Sequence, residues 1–466
     1  MKNSKLVKLL SVLSTSEMDG FGAYLKAFHG GEGAPVSLYE YLRPFHPAFP
    51  AKELEKGRIE KKLGLPHTNG HKRVSNEASK LYAWLLDFLA WEKFRSEENK
   101  FEYFRMLLQS LREKKQEQAF FSVAQKASDW LDEAPASACK PLQYMQLGHS
   151  KYYYTPTKKW ETRQEGIEEV ATQLHHFCYT ANLKYVCELR SRARALQEEE
   201  SIAEKYRIKD LAHSEQHLVL ARLYSLCEKM LEHDTDENYQ NFYDAFLSNE
   251  GLLDKEDEHV LLTYLINAIA RRLPRDQEQW GRPAFMLYQH GLDKGVLITD
   301  GYLSDITFHN IIQLASGVQE LQWAEWFVGV YADFLVAEGR DSTLKLARAR
   351  IAFEQGEFSR PLELLRELEF KDYSFTLQAK VLQARCFYEL EERELLDAFM
   401  KSFDLSLLRN KVVNKKGALK SYRNFLKVLK KLADGHPRRK IEAALEKYDH
   451  LVCKSWLKRK LQSLPE

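Results

Sequence analysis

The chain has 466 residues, of which 44% are hydrophobic and 29% are charged, and its formal net charge is +2. These values are ordinary for a globular protein, and they give no overall reason to expect a nucleic acid or a membrane as the partner. Only 13 prolines and 21 glycines interrupt the chain, which favours long helices.

The N-terminus and the cysteines indicate where the protein resides. Lys8 interrupts the first apolar run and no small-residue cleavage site follows it, so we expect no signal peptide. No apolar stretch approaches the ~18 residues of a membrane-spanning helix. The six cysteines are scattered within helical patterns, as reduced thiols of a cytoplasmic protein would be. They are Cys139, Cys178, Cys187, Cys227, Cys386 and Cys453.

Residues 1–130 are predicted to form a helical N-terminal region. An amphipathic helix opens the chain at Leu6–Leu13, and a glycine-rich and then proline-containing passage follows the next helix. Helical periodicity returns at Leu81–Trp91, where Leu81, Leu85 and Phe88 fall on one face.

Residues 131–408 are predicted to form a helical-repeat region. Within Leu344–Phe403, an offset of 35 residues brings two helical hairpins into register, which is close to the 34-residue tetratricopeptide length. The paired positions are Leu346 with Val381, Ala349 with Ala384, Phe353 with Tyr388, Leu365 with Met400, and Leu368 with Phe403. The same offset finds a third, more degenerate copy upstream at Ile311, Leu314 and Trp323. The alternative is a set of unrelated amphipathic helices with a chance coincidence of register.

Each hairpin has a predicted turn between its two helices. Gly356 ends the first helix of one hairpin, where a residue free to take positive φ suits a tight turn, and Phe358 begins the return helix. One such hairpin cannot bury its apolar stripe alone, whereas stacked hairpins can. We find no run with convincing alternation of polar and apolar residues, which disfavours a mixed sheet fold.

Residues 409–466 are predicted to form a basic helical cap. From Arg409 to Lys460 there are 17 lysines and arginines but only four acids. This charge could neutralise phosphates or dock an acidic partner. The alternative is the solvated outer face of a terminal repeat, which helical-repeat proteins need for solubility. The candidate residues are Lys415, Lys416, Lys420, Arg423, Lys427, Lys430, Lys431, Arg438, Arg439 and Lys440.

Several segments resemble those of a family of large uncharacterised tetratricopeptide-like helical-repeat proteins of Bacteroidota. The clearest is Gly301-Tyr302-Leu303-Ser304-Asp305-Ile306-Thr307-Phe308-His309-Asn310-Ile311-Ile312. The others are Leu38-Tyr39-Glu40-Tyr41-Leu42, Trp323-Ala324-Glu325, Leu368-Glu369-Phe370-Lys371-Asp372, Leu408-Arg409-Asn410-Lys411 and Tyr422-Arg423-Asn424-Phe425. The resemblance implies a bacterial protein with a helical-repeat fold, and it brings no activity, substrate or catalytic residue with it. The extended basic C-terminus departs from the family pattern.

Motifs with a known chemical mechanism were sought along the whole sequence. The phosphate-binding G-x-x-x-x-G-K-[ST] motif and the G-x-S-x-G nucleophile elbow are both missing from it. His175, His176, Cys178 and Cys187 resemble zinc ligands, but a predicted turn at Ala181-Asn182 separates Cys187 from the others, which favours packed thiols. We therefore expect a protein that is not an enzyme and that has no cofactor or metal.

The sequence thus predicts an all-α fold, an α-solenoid of tetratricopeptide-like hairpins with a helical N-terminal region and a basic helical cap. Such a surface typically holds a protein or peptide segment. Polar positions on the predicted first helices are the candidate contacts, and they favour an acidic or C-terminal carboxylate ligand. These positions are Arg348, Arg350, Gln378 and Arg385. The alternative is a nucleic-acid-associated regulatory protein that uses the basic C-terminal helices.

Overall fold

The computed structural model describes residues 1–64, 70–154, 164–196, 201–208, 218–273, 276–366, 368, 370, 372–409, 418–448 and 451–463. In these ranges the regular structure is helical, and β-type pairing is limited to the isolated bridges Ala136–Leu253 and Thr299–Tyr302. The predicted all-α class is therefore confirmed.

The chain divides into two compact units, of which unit 1 comprises Met1–Ala134 and Lys140–Leu174. Its helices are α1 (Lys5–Leu10), α2 (Thr15–His29), α3 (Ala34–Leu42), α4 (Lys56–Lys62), α5 (Gly70–Phe94), α6 (Lys100–Glu113), α7 (Glu117–Glu133), α8 (Lys140–Tyr152) and the first part of α9 (Gln164–Leu196). Short 3-10 turns occur at Arg43–Phe45, Ala51–Leu54 and Glu97–Asn99.

Local sequence signals explain how the helices of unit 1 begin and what they bury. Ser14 caps α2 by accepting a hydrogen bond from the backbone N–H of Glu17, whose carboxylate accepts one from the Ser14 N–H in return. This reciprocal pair satisfies two N–H groups that a helix start otherwise leaves free. In α5, Leu81, Leu85 and Phe88 are buried, which confirms the predicted apolar face.

Unit 2 comprises Pro135–Cys139 and His175–Glu466. After the rest of α9, its helices are α10 (Ser201–Tyr206), α11 (Val219–Glu232), α12 (Asp236–Ser248), α13 (Lys255–Arg272), α14 (Gln277–Asp293), α15 (Asp305–Gly317), α16 (Leu321–Tyr331), α17 (Arg340–Glu354), α18 (Ser359–Leu364), α19 (Tyr373–Glu389), α20 (Arg393–Arg409), α21 (Ala418–Ala433), α22 (Arg438–Lys447) and α23 (Lys454–Gln462). A 3-10 turn at Ala332–Phe334 follows α16.

The helices of unit 2 pack in chain order. From α11 to α23, each helix contacts the next along the described part of the chain. The first helices of successive hairpins also contact one another: α15 packs against α17, α17 packs against α19, and α19 packs against α21. This nearest-neighbour packing is the pattern expected of a helical-repeat fold.

Burial follows the 35-residue offset found in the sequence. Leu346 and Val381 are both buried, as are Ala349 and Ala384. Helix α17 ends at Glu354, and Gly356 takes a φ of +86°, as predicted for the turn. The return helix α18 is shorter than predicted, since it ends at Leu364. Leu368 lies beyond it but still packs against the second hydrophobic core of unit 2, which is formed by residues of α17–α23. Its apolar contact therefore does not require a helical backbone.

The C-terminal segment differs from the prediction in two ways. Helical spacing of Ile441, Leu445, Tyr448 and Val452 predicts one terminal helix, but this helix ends at Lys447, because Tyr448 takes an extended backbone conformation. A further helix, α23, begins after Cys453, whose φ is +53°.

The two compact units divide the chain differently from the predicted regions 1–130, 131–408 and 409–466. Helices α21–α23 share one hydrophobic core with α17–α20, so they are integral to unit 2.

Among the helices of the described residues, none is both long enough and apolar enough to cross a membrane.

Candidate partner-binding face

Arg350 connects the first helices of three successive hairpins. On α17, its Nη1 donates to Oε1 of Gln313 on α15 at 3.2 Å, and its Nη2 donates to Oε1 of Gln378 on α19 at 3.1 Å. Both acceptors are neutral amide oxygens. Burial disfavours the cation and lowers the pKa of Arg350 to about 10. Arg350 and Gln378, both predicted to contact a partner, therefore lie together on one side of these helices.

Arg385 holds α19 against α17. Its Nη2 donates to Oε1 of Glu354 at 3.1 Å, and its guanidinium lies 4.0 Å from the ring centroid of Phe353 and 5.1 Å from that of Trp456. The side chain is buried, and within the described residues its Nε has no hydrogen-bond acceptor. The positive charge of Arg385 is thus compensated inside the fold, which weakens its predicted role as a contact for an acidic ligand.

Arg348 does not join these side chains. It is exposed on α17, two positions before Arg350. Two residues correspond to roughly 200° around an α-helix, so the two arginines project to different sides. The structure therefore brings together three of the four predicted contacts, namely Arg350, Gln378 and Arg385.

The repeat itself places an arginine and a glutamate at matching points of two first helices. Arg350 and Glu354 on α17 lie 35 positions before Arg385 and Glu389 on α19. The arginine of the later hairpin binds the glutamate of the earlier one, through the Arg385–Glu354 ion pair. One repeat before Glu354, position 319 is glutamine, so Arg350 has no carboxylate at the matching position and donates to the amides of Gln313 and Gln378 instead.

The C-terminal helix α23 packs against α21 and α22, and its side chains reach this side of the hairpins. The indole Nε1 of Trp456 donates to Oε1 of Glu389 at 2.8 Å, and Nζ of Lys460 lies 2.5 Å from Oε2 of the same carboxylate. Arg459 approaches Glu354, with 3.7 Å between Nη2 and Oε2. We call the surface formed by Arg350, Glu354, Gln378, Arg385 and Glu389 the first-helix face.

Apolar contacts accompany these polar ones. The ring of Trp456 packs edge-on against Tyr388 of α19, with 5.5 Å between centroids, and lies 6.4 Å from Phe425 of α21. Trp456, Leu457 and Leu461 are all buried in the second hydrophobic core of unit 2. Helix α23 thus reaches the first-helix face through an aromatic anchor and two cations, while its two leucines are buried in the core.

Within the described residues, some of the predicted basic side chains have an ion-pair partner and others have none. Arg423 binds Asp404 at 3.0 Å, and Arg438 binds Glu442 at 3.1 Å, so both are compensated. Lys431 is half-buried on α21. Lys415 and Lys416 lie outside the described residues. The remaining candidates are exposed on α21 and α22, and we call them the basic face: Lys420, Lys427, Lys430, Arg439 and Lys440.

The zinc-like cluster has a different geometry from the predicted one. Helix α9 runs without interruption through Ala181 and Asn182, so the predicted turn there is wrong. Cys187 is buried and its thiol donates to the carbonyl oxygen of Tyr224 at 3.4 Å. Burial raises the pKa of the neighbouring Cys227 thiol, and Cys187 adds to this effect. The described part of the chain holds no group of three or more His, Cys, Asp or Glu side chains placed to bind a metal ion.

Four residues that take part in these contacts are not predicted from the sequence. Gln313, Glu354, Glu389 and Trp456 were not predicted as contacts. Glu354 and Glu389 carry a usable signal, because the 35-residue offset aligns them with each other just as it aligns Arg350 with Arg385. Trp456 carries no such signal, since it lies outside the aligned hairpins.

Comparisons with known proteins return nothing for this chain: no family model, no curated protein and no solved structure matches it.

Proposed function

We propose that the protein is a non-enzymatic scaffold that binds a segment of another protein on the first-helix face. Successive hairpins in contact with one another create a continuous surface of first helices, and repeat folds use such surfaces for recognition. We further propose that it acts in the cytoplasm, where its six free cysteines would stay reduced.

One observation carries this proposal. The first-helix face holds a helix, α23, through side chains supplied by two hairpins, and that helix belongs to the same chain. A surface that seats one helix by an aromatic anchor and matched charges has the chemistry to seat another. The partner is therefore expected to present a helix rather than an extended acidic tail.

Affinity purification from the native cell with quantitative mass spectrometry tests the proposal. The baits are the full-length protein, its Arg350→Glu variant and its Arg348→Glu variant. The last is a matched control, since it makes the same charge change on the same helix but off the face. We expect a protein captured by the wild type and by Arg348→Glu to be lost with Arg350→Glu. Equal capture by all three baits, or no protein enriched over a tag-only control, would refute the proposal.

The basic face favours a second candidate function, nucleic-acid binding. Its five side chains are exposed within two consecutive helices, and Lys427 and Lys430 lie on the same helix at i, i+3. Closely spaced cations of this kind can neutralise successive phosphates. The aromatic residues of α21 weigh against base stacking, since Phe425 is fully buried.

Titration with labelled DNA and RNA at several salt concentrations tests this second candidate. Binding through phosphates predicts affinity that falls steeply with salt, and reversing Lys427 and Lys430 to glutamate should lower the slope by about two. Lys401→Glu on α20 is the control, because that lysine is exposed but outside the basic face. Charge reversal is preferable to deleting 409–466, which would remove helices of the core. A flat titration would exclude this function.

A further inference from the structure

We infer that α23 occupies the binding site of the partner within the same chain. The partner is a basic helix with an aromatic anchor that displaces α23 from the first-helix face. This inference rests on the proposed function and adds the chemical class of the ligand. The pattern is read from α23 itself: a tryptophan followed by cations three and four residues later, as in Trp456, Arg459 and Lys460.

The charges of the face select this class of ligand. Arg385 is compensated by Glu354. One repeat after Arg385 the chain has the exposed Lys420 rather than an arginine, so within the described residues Glu389 has no such partner on the following first helix. Its carboxylate is met by α23 instead, through Trp456 and Lys460. An incoming helix must therefore supply an N–H donor and a cation at this point. An acidic helix would bring like charges together, which is unfavourable.

The spacing of the α23 contacts explains why a helix is needed. Residues three and four positions apart lie on one side of an α-helix, so Trp456, Arg459 and Lys460 can reach the same surface together. Arg459 then meets Glu354 on α17 while Lys460 meets Glu389 on α19. The two glutamates are one repeat apart, and the helix spans them.

The properties of α23 suit displacement. It has nine residues, and isolated helices of that length are marginal in water, so its helicity depends on docking. Arg459 is mostly exposed, at 58% of its side-chain area, so this ion pair lies at the rim. Elements with few buried anchors open locally at a lower free-energy cost than the core does. Helix α23 has three buried anchors, Trp456, Leu457 and Leu461, and it packs against α21 and α22 while its side chains reach α17 and α19.

The test uses the full chain and a synthetic peptide. The release variant combines Trp456→Ala with Lys460→Glu, which removes the anchor and places an acid beside Glu389. The matched control is Lys458→Glu, the same charge change at an exposed position of the same helix. The probe is a fluorescein-labelled peptide with the sequence of residues 451–463, in which Cys453 is replaced by serine. Binding is followed by fluorescence anisotropy.

We expect the release variant to bind the peptide at least about tenfold more tightly than the wild type or the control does, because its face is free for a larger fraction of the time. A peptide in which the tryptophan is alanine, or in which both cations are glutamate, should not bind. Equal affinity of all three proteins for the peptide, or no binding to any of them, would overturn the inference.

Hydrogen exchange with mass spectrometry on the same proteins separates displacement from loss of fold. We expect residues 454–462 to lose amide protection in the release variant, while α17 and α19 keep theirs. Loss of protection throughout α17–α21 would show that α23 is a fixed part of the core and would overturn the inference.

The two proposals can fail separately. Capture that depends on Arg350 together with absence of peptide binding would refute the displacement inference alone. Peptide binding to the release variant without Arg350-dependent capture would refute the scaffold function alone.

Discussion

The indole N–H of Trp456 donates a hydrogen bond of 2.8 Å to the carboxylate of Glu389, 67 residues earlier in the chain. The same carboxylate receives Lys460. One acidic side chain at the end of α19 therefore binds α23 through two donors. Because the indole is buried, this contact joins the aromatic anchor of α23 to the charges of the first-helix face.

Removing the indole N–H should weaken unit 2 measurably. Trp456→Phe keeps an aromatic ring but loses a hydrogen bond to a charged group, so we expect the free energy of unfolding to fall by about 2 kcal/mol. Trp456→Ala should cost about 3–5 kcal/mol, since it also leaves a cavity. Urea unfolding followed by circular dichroism measures both. The control, Trp326→Phe, changes a tryptophan that is 52% exposed and should shift stability by less than about 0.5 kcal/mol. Equal losses of stability at both positions would contradict the hydrogen bond from Trp456 to Glu389.

The Arg385–Glu354 pair should show strong coupling in a double-mutant cycle. Both side chains are largely buried, at 10% and 14% exposure, so removing Glu354 leaves Arg385 without its carboxylate partner, and removing Arg385 leaves Glu354 with Arg459 at 3.7 Å. We expect Glu354→Gln to cost about 3 kcal/mol, and the double variant with Arg385→Met to cost clearly less than the sum of the single changes.

An exposed pair provides the control for that cycle. Arg360 and Glu357 lie on the surface, at 58% and 50% exposure, with 3.0 Å between Nη1 and Oε2. A cycle with Arg360→Met and Glu357→Gln should give a coupling below about 0.5 kcal/mol. Similar coupling energies for the buried and exposed pairs would show that burial does not govern the Arg385–Glu354 interaction.

His309 should make unit 2 less stable as the pH falls. Its ring is buried, both ring nitrogens lack a hydrogen-bond partner within the described residues, and Phe375 packs 4.4 Å from it between ring centroids. Burial, reinforced by the positive charge of Arg350, lowers its pKa to about 3. The unfolded chain binds a proton below about pH 6.5, whereas the folded state stays neutral until about pH 3, so stability is lost progressively as pH falls through this window.

Replacing His309 by leucine should remove that dependence. For the wild type, His309 contributes a loss of about 2 kcal/mol between about pH 7.5 and about pH 5, and this part should vanish in His309→Leu. Urea unfolding at the two pH values measures the difference. The wild type, measured at the same two pH values, is the reference. A variant at position 309 that keeps the full dependence would refute the role of this histidine.

Two helical glycines should respond oppositely to alanine. A Cβ at Gly291 would lie 2.7 Å from both Leu262 Cδ2 and Leu297 Cγ, so Gly291→Ala should destabilise by about 1–3 kcal/mol through overpacking. At Gly329 on α16 no atom of the described residues lies within 4 Å of an added Cβ, so Gly329→Ala should stabilise by up to about 1 kcal/mol. The shift in the thermal unfolding midpoint gives the sign for each. The same sign at both positions would contradict the packing around α14.

The sequence carries the helical class and the register of the repeat because both depend on local apolar spacing. Leu346 and Val381 are buried at matching points since each lies on the inner side of its own helix. Helix ends were less predictable. Tyr448 leaves the helix through its backbone conformation, and the apolar spacing that continues to Val452 conceals that change.

The contacts of the face depend on long-range packing, which periodicity does not report. The sequence identifies Arg350 and Arg385 only as polar positions on the predicted first helices. Whether such a position faces solvent or a neighbouring chain segment depends on where α23 folds back, across 67 residues in the case of Glu389 and Trp456. The charge of Arg385 is likewise compensated by Glu354 from the preceding hairpin, which only the three-dimensional packing reveals.

Photo-crosslinking from the first-helix face in the native cell tests the central claim most directly. A benzophenone amino acid replaces Tyr388, which packs against Trp456, in one full-length protein, and replaces the exposed Tyr302 in another. Both replacements keep an aromatic ring of related shape. Our account predicts that irradiation joins Tyr388 variants, but not Tyr302 variants, to a helix of another protein that bears an aromatic residue and nearby cations. Adducts formed equally from both positions, only from Tyr302, or from neither, would contradict it.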